Sequence, residues 1–131
     1  ELLGAVDFEK VKAMTDYLNN AGAKEAIDYV GVLTEGGTDL EMFAKALVNH
    51  LRKIMLIKVD SSLANLMAQE LTLEQVEIVK KQADIFSLDN VARAIRIFMV
   101  AQNDIKRSPI PSLPIELAVV EITNQNLENR K

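Results

Sequence analysis

Apolar residues recur at three- and four-residue steps along almost the whole chain, and short polar, glycine- or proline-bearing breaks divide the pattern into helices. Asp7 reads as the N-cap of a first helix on which Val11, Met14 and Leu18 share a face, with Asn19-Asn20-Ala21-Gly22 as its stop. A second helix, from about 23 to 33, puts Ala26, Ile27 and Val30 on one side and ends at Gly36-Gly37. Thr38-Asp39-Leu40-Glu41 reads as a capping box, the Thr38 hydroxyl serving the Glu41 N–H. The helix it opens carries Leu40, Phe43, Ala44, Leu47, Leu51, Ile54 and Met55 for about five turns, the pattern of a central helix. Its end, Ile54 to Ile57, is apolar all round and is expected to be enclosed on more than one side.

The stretch from Asp60 to Leu71 is ambiguous, and Leu63, Leu66, Met67 and Ala68 could form a short helix there. Thr72-Leu73-Glu74-Gln75 is a second capping box, ahead of a stripe of Val76, Val79, Ala83 and Phe86. Ser87 caps a fifth helix, expected to turn Leu88, Val91, Ala92, Ile95, Phe98, Met99 and Ile105 inward and Asp89, Arg93, Arg96 and Asn103 outward. Pro109 and Pro111 force extended or turn geometry on the residues before them, whereas Pro114 suits the first turn of a last helix, where its missing N–H is no loss. Val119 to Ile122 is β-branched, but its Pro-Ile-Glu start favours helix. No stretch alternates as a strand does, so the expected fold is all-α, an array of five or six helices in one domain.

Composition narrows the chemistry. With 131 residues the chain can bury one core without staples, and with no cysteine it has no disulfide, thiol catalysis or cysteine-ligated metal. Fifteen basic and 19 acidic residues give a net charge of −4, no global field for a polyanion. The apolar runs Ile54–Ile57 and Leu117–Val120 are far shorter than a bilayer span, and no signal sequence opens the chain, so a soluble cytoplasmic protein is expected. Residue 1 is Glu and the stretch 124–131 is polar, as in a piece of something longer.

The chain carries no phosphate-cradling glycine loop and no activated-serine elbow. His50, the single histidine, has Ala46, Leu47, Lys53 and Ile54 at helical spacing, which excludes a local metal motif and reads as a partly packed polar residue. Glu70, Glu74 and Glu77 fall around a loop and a helix start, where negative charge suits the dipole. Pro111-Ser112-Leu113-Pro114 matches a Pro-x-x-Pro ligand but reads as an inter-helix turn.

Several pieces together resemble the third domain of the gamma/tau subunit of bacterial DNA polymerase III, the collar of the sliding-clamp loader. They are Leu3-Gly4-Ala5-Val6-Asp7, the 37–59 helix with Leu51-Arg52 and Lys58, Lys106-Arg107-Ser108-Pro109, and Leu113-Pro114-Ile115-Glu116-Leu117-Ala118. The resemblance implies residues 1–6 as a linker from a preceding lid domain, 7–123 as the collar domain and 124–131 as the start of a further linker. It implies an oligomerisation role: collar domains of gamma/tau, delta and delta-prime pack into a five-membered ring that holds the ATPase modules for clamp loading in DNA replication. ATP and zinc would belong to upstream domains, so this stretch would carry no cofactor and no enzyme activity of its own. The expected partners are other gamma/tau copies, delta and delta-prime, with Ile78, Ile85, Arg93, Arg96, Ile97, Lys106 and Arg107 as candidate contact residues. Three other readings stay open, one of them an independent helical adaptor. A DNA-binding module would need Arg93, Arg96, Lys106 and Arg107 to converge on one face, and an enzyme using His50 or a carboxylate pair would need a polar cleft.

Overall fold

The computed structural model describes residues 8–20 and 22–124 in full, and the backbone alone for 2–7 and 125–130. Among the described residues six α-helices and one 3-10 helix follow one another: α1 (Leu2–Asn19), α2 (Ala23–Glu35), α3 (Leu40–Val59), the 3-10 turn (Ser61–Met67), α4 (Leu73–Ile85), α5 (Leu88–Ile105) and α6 (Leu113–Arg130). No strand occurs among the described residues, and none of their helices is long and apolar enough to cross a membrane. The α1 helix starts ahead of Asp7, so that residue is not its N-cap; the side chains of 2–7, including the Leu3–Asp7 motif, lie outside the described residues. The expected linker and tail, 1–6 and 124–131, fall there too, except for Asn124.

The α2–α3 junction differs from expectation by one residue, and the cause is local. Gly37 takes a positive φ of 80°, which lets the Thr38 N–H reach the Leu33 carbonyl (2.9 Å) and the Gly37 N–H the Thr34 carbonyl (3.1 Å). This pair of hydrogen bonds closes the α2 C-terminus as a Schellman motif. Thr38 thereby belongs to the exit of α2, its hydroxyl taking a hydrogen bond from Lys10 Nζ, and Asp39 caps α3 by accepting from the Met42 N–H at 3.1 Å. The other two caps stand as expected. Thr72 and Gln75 form a reciprocal capping box, and Ser87 accepts from the Asn90 N–H.

The α3 helix runs through the middle, packed against α1, α4, α5 and the 3-10 turn, while α6 lies between α5 and α2. Leu47, Leu51 and Ile54 are wholly buried, and Met55 and Leu56 are partly so, as the all-round apolar end of α3 requires. The ambiguous 60–71 stretch folds as the 3-10 turn, burying Ala64 and Met67 and leaving Leu66 exposed. At the far end of α3, Lys58 Nζ donates to the Ala83 carbonyl at 2.7 Å, joining its last turn to that of α4.

The largest departure lies on α5. Its buried stripe is Val91, Ala94, Phe98, Ala101 and Ile105, while Leu88 and Met99 are exposed and Arg93 is half-buried. The stripe keeps a three-four-three-four step but is centred on the alanines, whose small side chains let α5 close on α3 and α6. Leu88 and Met99, expected inward, are turned out instead, while Ile95 stays partly packed on the core. This rotation decides what the domain shows to solvent.

Candidate interaction surface and the buried polar cluster

Two places concentrate polar or exposed apolar groups. The first is internal. His50 on α3, 3% exposed, contacts Gln82 on α4 through Nε2···Oε1 at 2.6 Å. Gln82 Nε2 donates to the Lys12 carbonyl (3.1 Å) and to Asp16 Oδ1 (2.8 Å), so its amide oxygen faces the imidazole and His50 Nε2 carries the hydrogen. Burial pushes the His50 pKa from 6.5 to about 4, assisted by Lys53 and opposed by the Gln82 hydrogen bond and Asp16. Phe8 meets the ring edge-on at 5.6 Å. Lys53, buried one turn further along α3, reaches Glu70 at 3.2 Å. The cavity between them is about 220 Å³, and no cluster of potential metal ligands occurs among the described residues. The His50–Gln82–Asp16 chain of hydrogen bonds ties α1, α3 and α4 together.

The second place is external, along α5 and α6. On α5 Val100 is exposed (62%), and α6 turns out Leu117 (60%), Val120 and Leu113, so an apolar strip spans the two helices. Ile97 lies at its floor, partly packed on the core, and Arg93 and Arg96 border a groove of about 500 Å³ with Val100 and Glu121. Arg93 has lost solvent at Nε and Nη2 without gaining a hydrogen-bond acceptor. Glu121 is within 4 Å of neither arginine. The groove continues beside Asp104, Pro114 and Ala118 toward the proline turn.

The candidate contact residues thus divide. Arg93, Arg96 and Ile97 come together in this groove. Ile78 and Ile85 lie on α4, the first partly packed on the core and the second exposed. Lys106 and Arg107 stand exposed at the end of α5, and Lys106 pairs with Glu41 of α3 at 3.4 Å. Val100, Leu117 and Val120, which dominate the strip, were not among the candidates. Their signal was present as apolar residues beyond the number the helical stripe can bury.

The family model for domain III of DNA polymerase III subunits gamma and tau matches residues 1–131, the whole chain. The chain belongs to that family. Among solved structures, the Bacillus subtilis DNA clamp loader delta protein (YqeN) superposes with a TM-score of 0.74 at 16% identity. The alignment covers 90% of this chain and 37% of that one. At that identity the likeness is one of fold. None of the curated proteins matches. This gamma/tau domain III therefore shares a helical architecture with a clamp-loader protein while differing from it at most positions.

Proposed function

We propose that this domain serves as a collar of a sliding-clamp loader, packing against the corresponding domains of other gamma/tau copies and of delta and delta-prime so that attached ATPase modules are held in a ring. The observation that carries the reading is the exposed apolar strip of α5 and α6, bordered by arginines that make no ion pair among the described residues, on a helical scaffold. Contiguous exposed apolar surface with a polar border is characteristic of protein contacts. The family supports it from a second side, since the domain is a part of clamp-loader subunits of DNA polymerase III. In this reading the domain binds no cofactor and performs no chemistry; its work is assembly.

The test is the mass in solution, by light scattering on a sizing column, of the chain alone and mixed with the delta and delta-prime subunits of its source. Self-assembled or mixed species are expected, and their stoichiometry identifies the contacts. A monomer that ignores both partners at high concentration would refute the proposal.

A further inference from the structure

The stripe Arg93, Arg96, Val100, Asn103 on α5 advances by three, four and three residues. On the solvent side of α2 the stripe Glu25, Asp28, Val32, Glu35 advances by the same three, four and three. Laid parallel in this register, the two helices set Glu25 and Asp28 against Arg93 and Arg96, Val32 against Val100, and Glu35 against the Asn103 amide. Within one chain they cannot meet, because α6 packs between α2 and α5. From this match we infer that the α5–α6 groove receives the α2 helix of a second copy of this chain, in a head-to-tail contact.

Each side carries a feature that the isolated fold leaves unexplained. On the groove side, the two arginines make no ion pair among the described residues, and Arg93 holds two buried nitrogens without an acceptor. An incoming carboxylate, met by a turn of the arginine side chain, supplies what is missing. On the α2 side, Val32 is 61% exposed in the middle of a polar face, and Gly31 beside it is a mid-helix glycine with no atom within 4 Å of where a Cβ would stand. A glycine there weakens α2 with no benefit inside the chain, whereas it lets a neighbouring helix approach closely. Core residues Ala26, Val30 and Leu33 occupy the opposite side of α2, so its acidic stripe faces directly away from the domain.

The two surfaces share no residue, so the contact is heterologous. Each copy that offers α2 to one neighbour keeps its own groove open for another, which is the geometry that builds rings or open chains rather than closed pairs. The inference rests on the proposed collar role and adds to it the two helices that meet and their register.

The absence of cysteine makes a direct test possible, because every introduced thiol is unique. Val32→Cys and Val100→Cys chains are mixed and oxidised. The expected product is a mixed disulfide dimer, with little dimer from either variant alone, and a chain carrying both substitutions yields a ladder of higher species. Arg93→Glu with Arg96→Glu, added to the Val100→Cys chain, removes the mixed dimer, and Glu25→Arg with Asp28→Arg on the Val32→Cys chain brings it back. Val100–Val100 dimers without mixed ones would overturn the inference in favour of a symmetric contact. Capture of Val32→Cys by Asn49→Cys instead would move the site to the α3 face that bears Lys45 and Arg52. No cross-link in any pairing overturns it outright. If complexes with delta and delta-prime still form in that case, the collar role stands and only this register is lost; if they do not, both fall together.

Discussion

Acidification should destabilise this domain through a single imidazole. His50 has its folded-state pKa lowered to about 4 from an ordinary 6.5, chiefly by burial. Well above pH 6.5 the ring is neutral in both states, so it adds no pH dependence. Below that value the unfolded chain takes up a proton that the folded chain refuses, and stability falls by about 1.4 kcal/mol per pH unit until the folded pKa is reached. Between about pH 7.5 and about pH 5 the loss is about 2 kcal/mol. Urea unfolding at the two pH values reads it as a midpoint lower by about 1 M for an m-value near 2 kcal/mol/M. Carboxylates also begin to titrate in this window, so the quantity that isolates His50 is the difference between the parent and His50→Gln, whose side chain stays uncharged. His50 is the only histidine, and its ring proton resonances give the folded pKa directly. Equal pH dependence in the two chains, or a resonance titrating near the ordinary value, would refute the account of a desolvated ring tied to Gln82.

Two further outcomes probe the scaffold. Leu51→Ala, at a wholly buried position in the middle of α3, is expected to cost about 3 kcal/mol in chemical denaturation, the transfer of the lost atoms together with the cavity they leave. Alanine at two glycines should act with opposite sign. Gly37→Ala forces a side chain into a φ of +80° and lowers stability by about 1 kcal/mol, while Gly31→Ala, mid-helix with open space around it, raises it by up to about 1 kcal/mol. Thermal melts of the two variants give the signs.

The sequence was most legible where a local rule decides the outcome. Thr72 with Gln75, and Ser87, cap their helices because the hydroxyl and its N–H target are separated by three residues in any fold. The same rule slipped at Thr38, where two capping residues stand side by side and the choice belongs to the preceding helix: closure of α2 consumes the Thr38 N–H and leaves Asp39 for α3. On α5 the error was one of weighting. Counting large apolar residues favours Leu88 and Met99, whereas close packing against two neighbours selects the face with Ala94 and Ala101. Gln82 carried a usable signal, since it interrupts the apolar stripe of α4 three residues after Val79 and four before Phe86. Its partners His50 and Asp16 did not, because they are brought to it by tertiary packing of α3 and α1.

The position of the apolar strip follows from the same packing that turned α5. A helix that buries a narrow alanine-centred stripe against α3 and α6 sits closer to both, and its two flanks are correspondingly prominent. At about 100° per residue, Arg93, Ile97 and Val100 point about 120–180° away from Leu88, so the charged and apolar groups of the groove share the flank that faces α6. Because α5 is held along its length by α3 and α6, that flank is fixed before any partner arrives. Little conformational entropy then remains to be lost on association, beyond side-chain rotamers such as those of the two arginines. A contact made on loops would lose more. The exposed valine and leucines on this face bring no stability to the isolated chain and add a risk of nonspecific association, a combination that is accounted for when another helix covers them. Placing the strip on a firmly packed pair of helices, with two Arg93 nitrogens buried without an acceptor, fits a surface whose acceptors are carried by the neighbouring subunit.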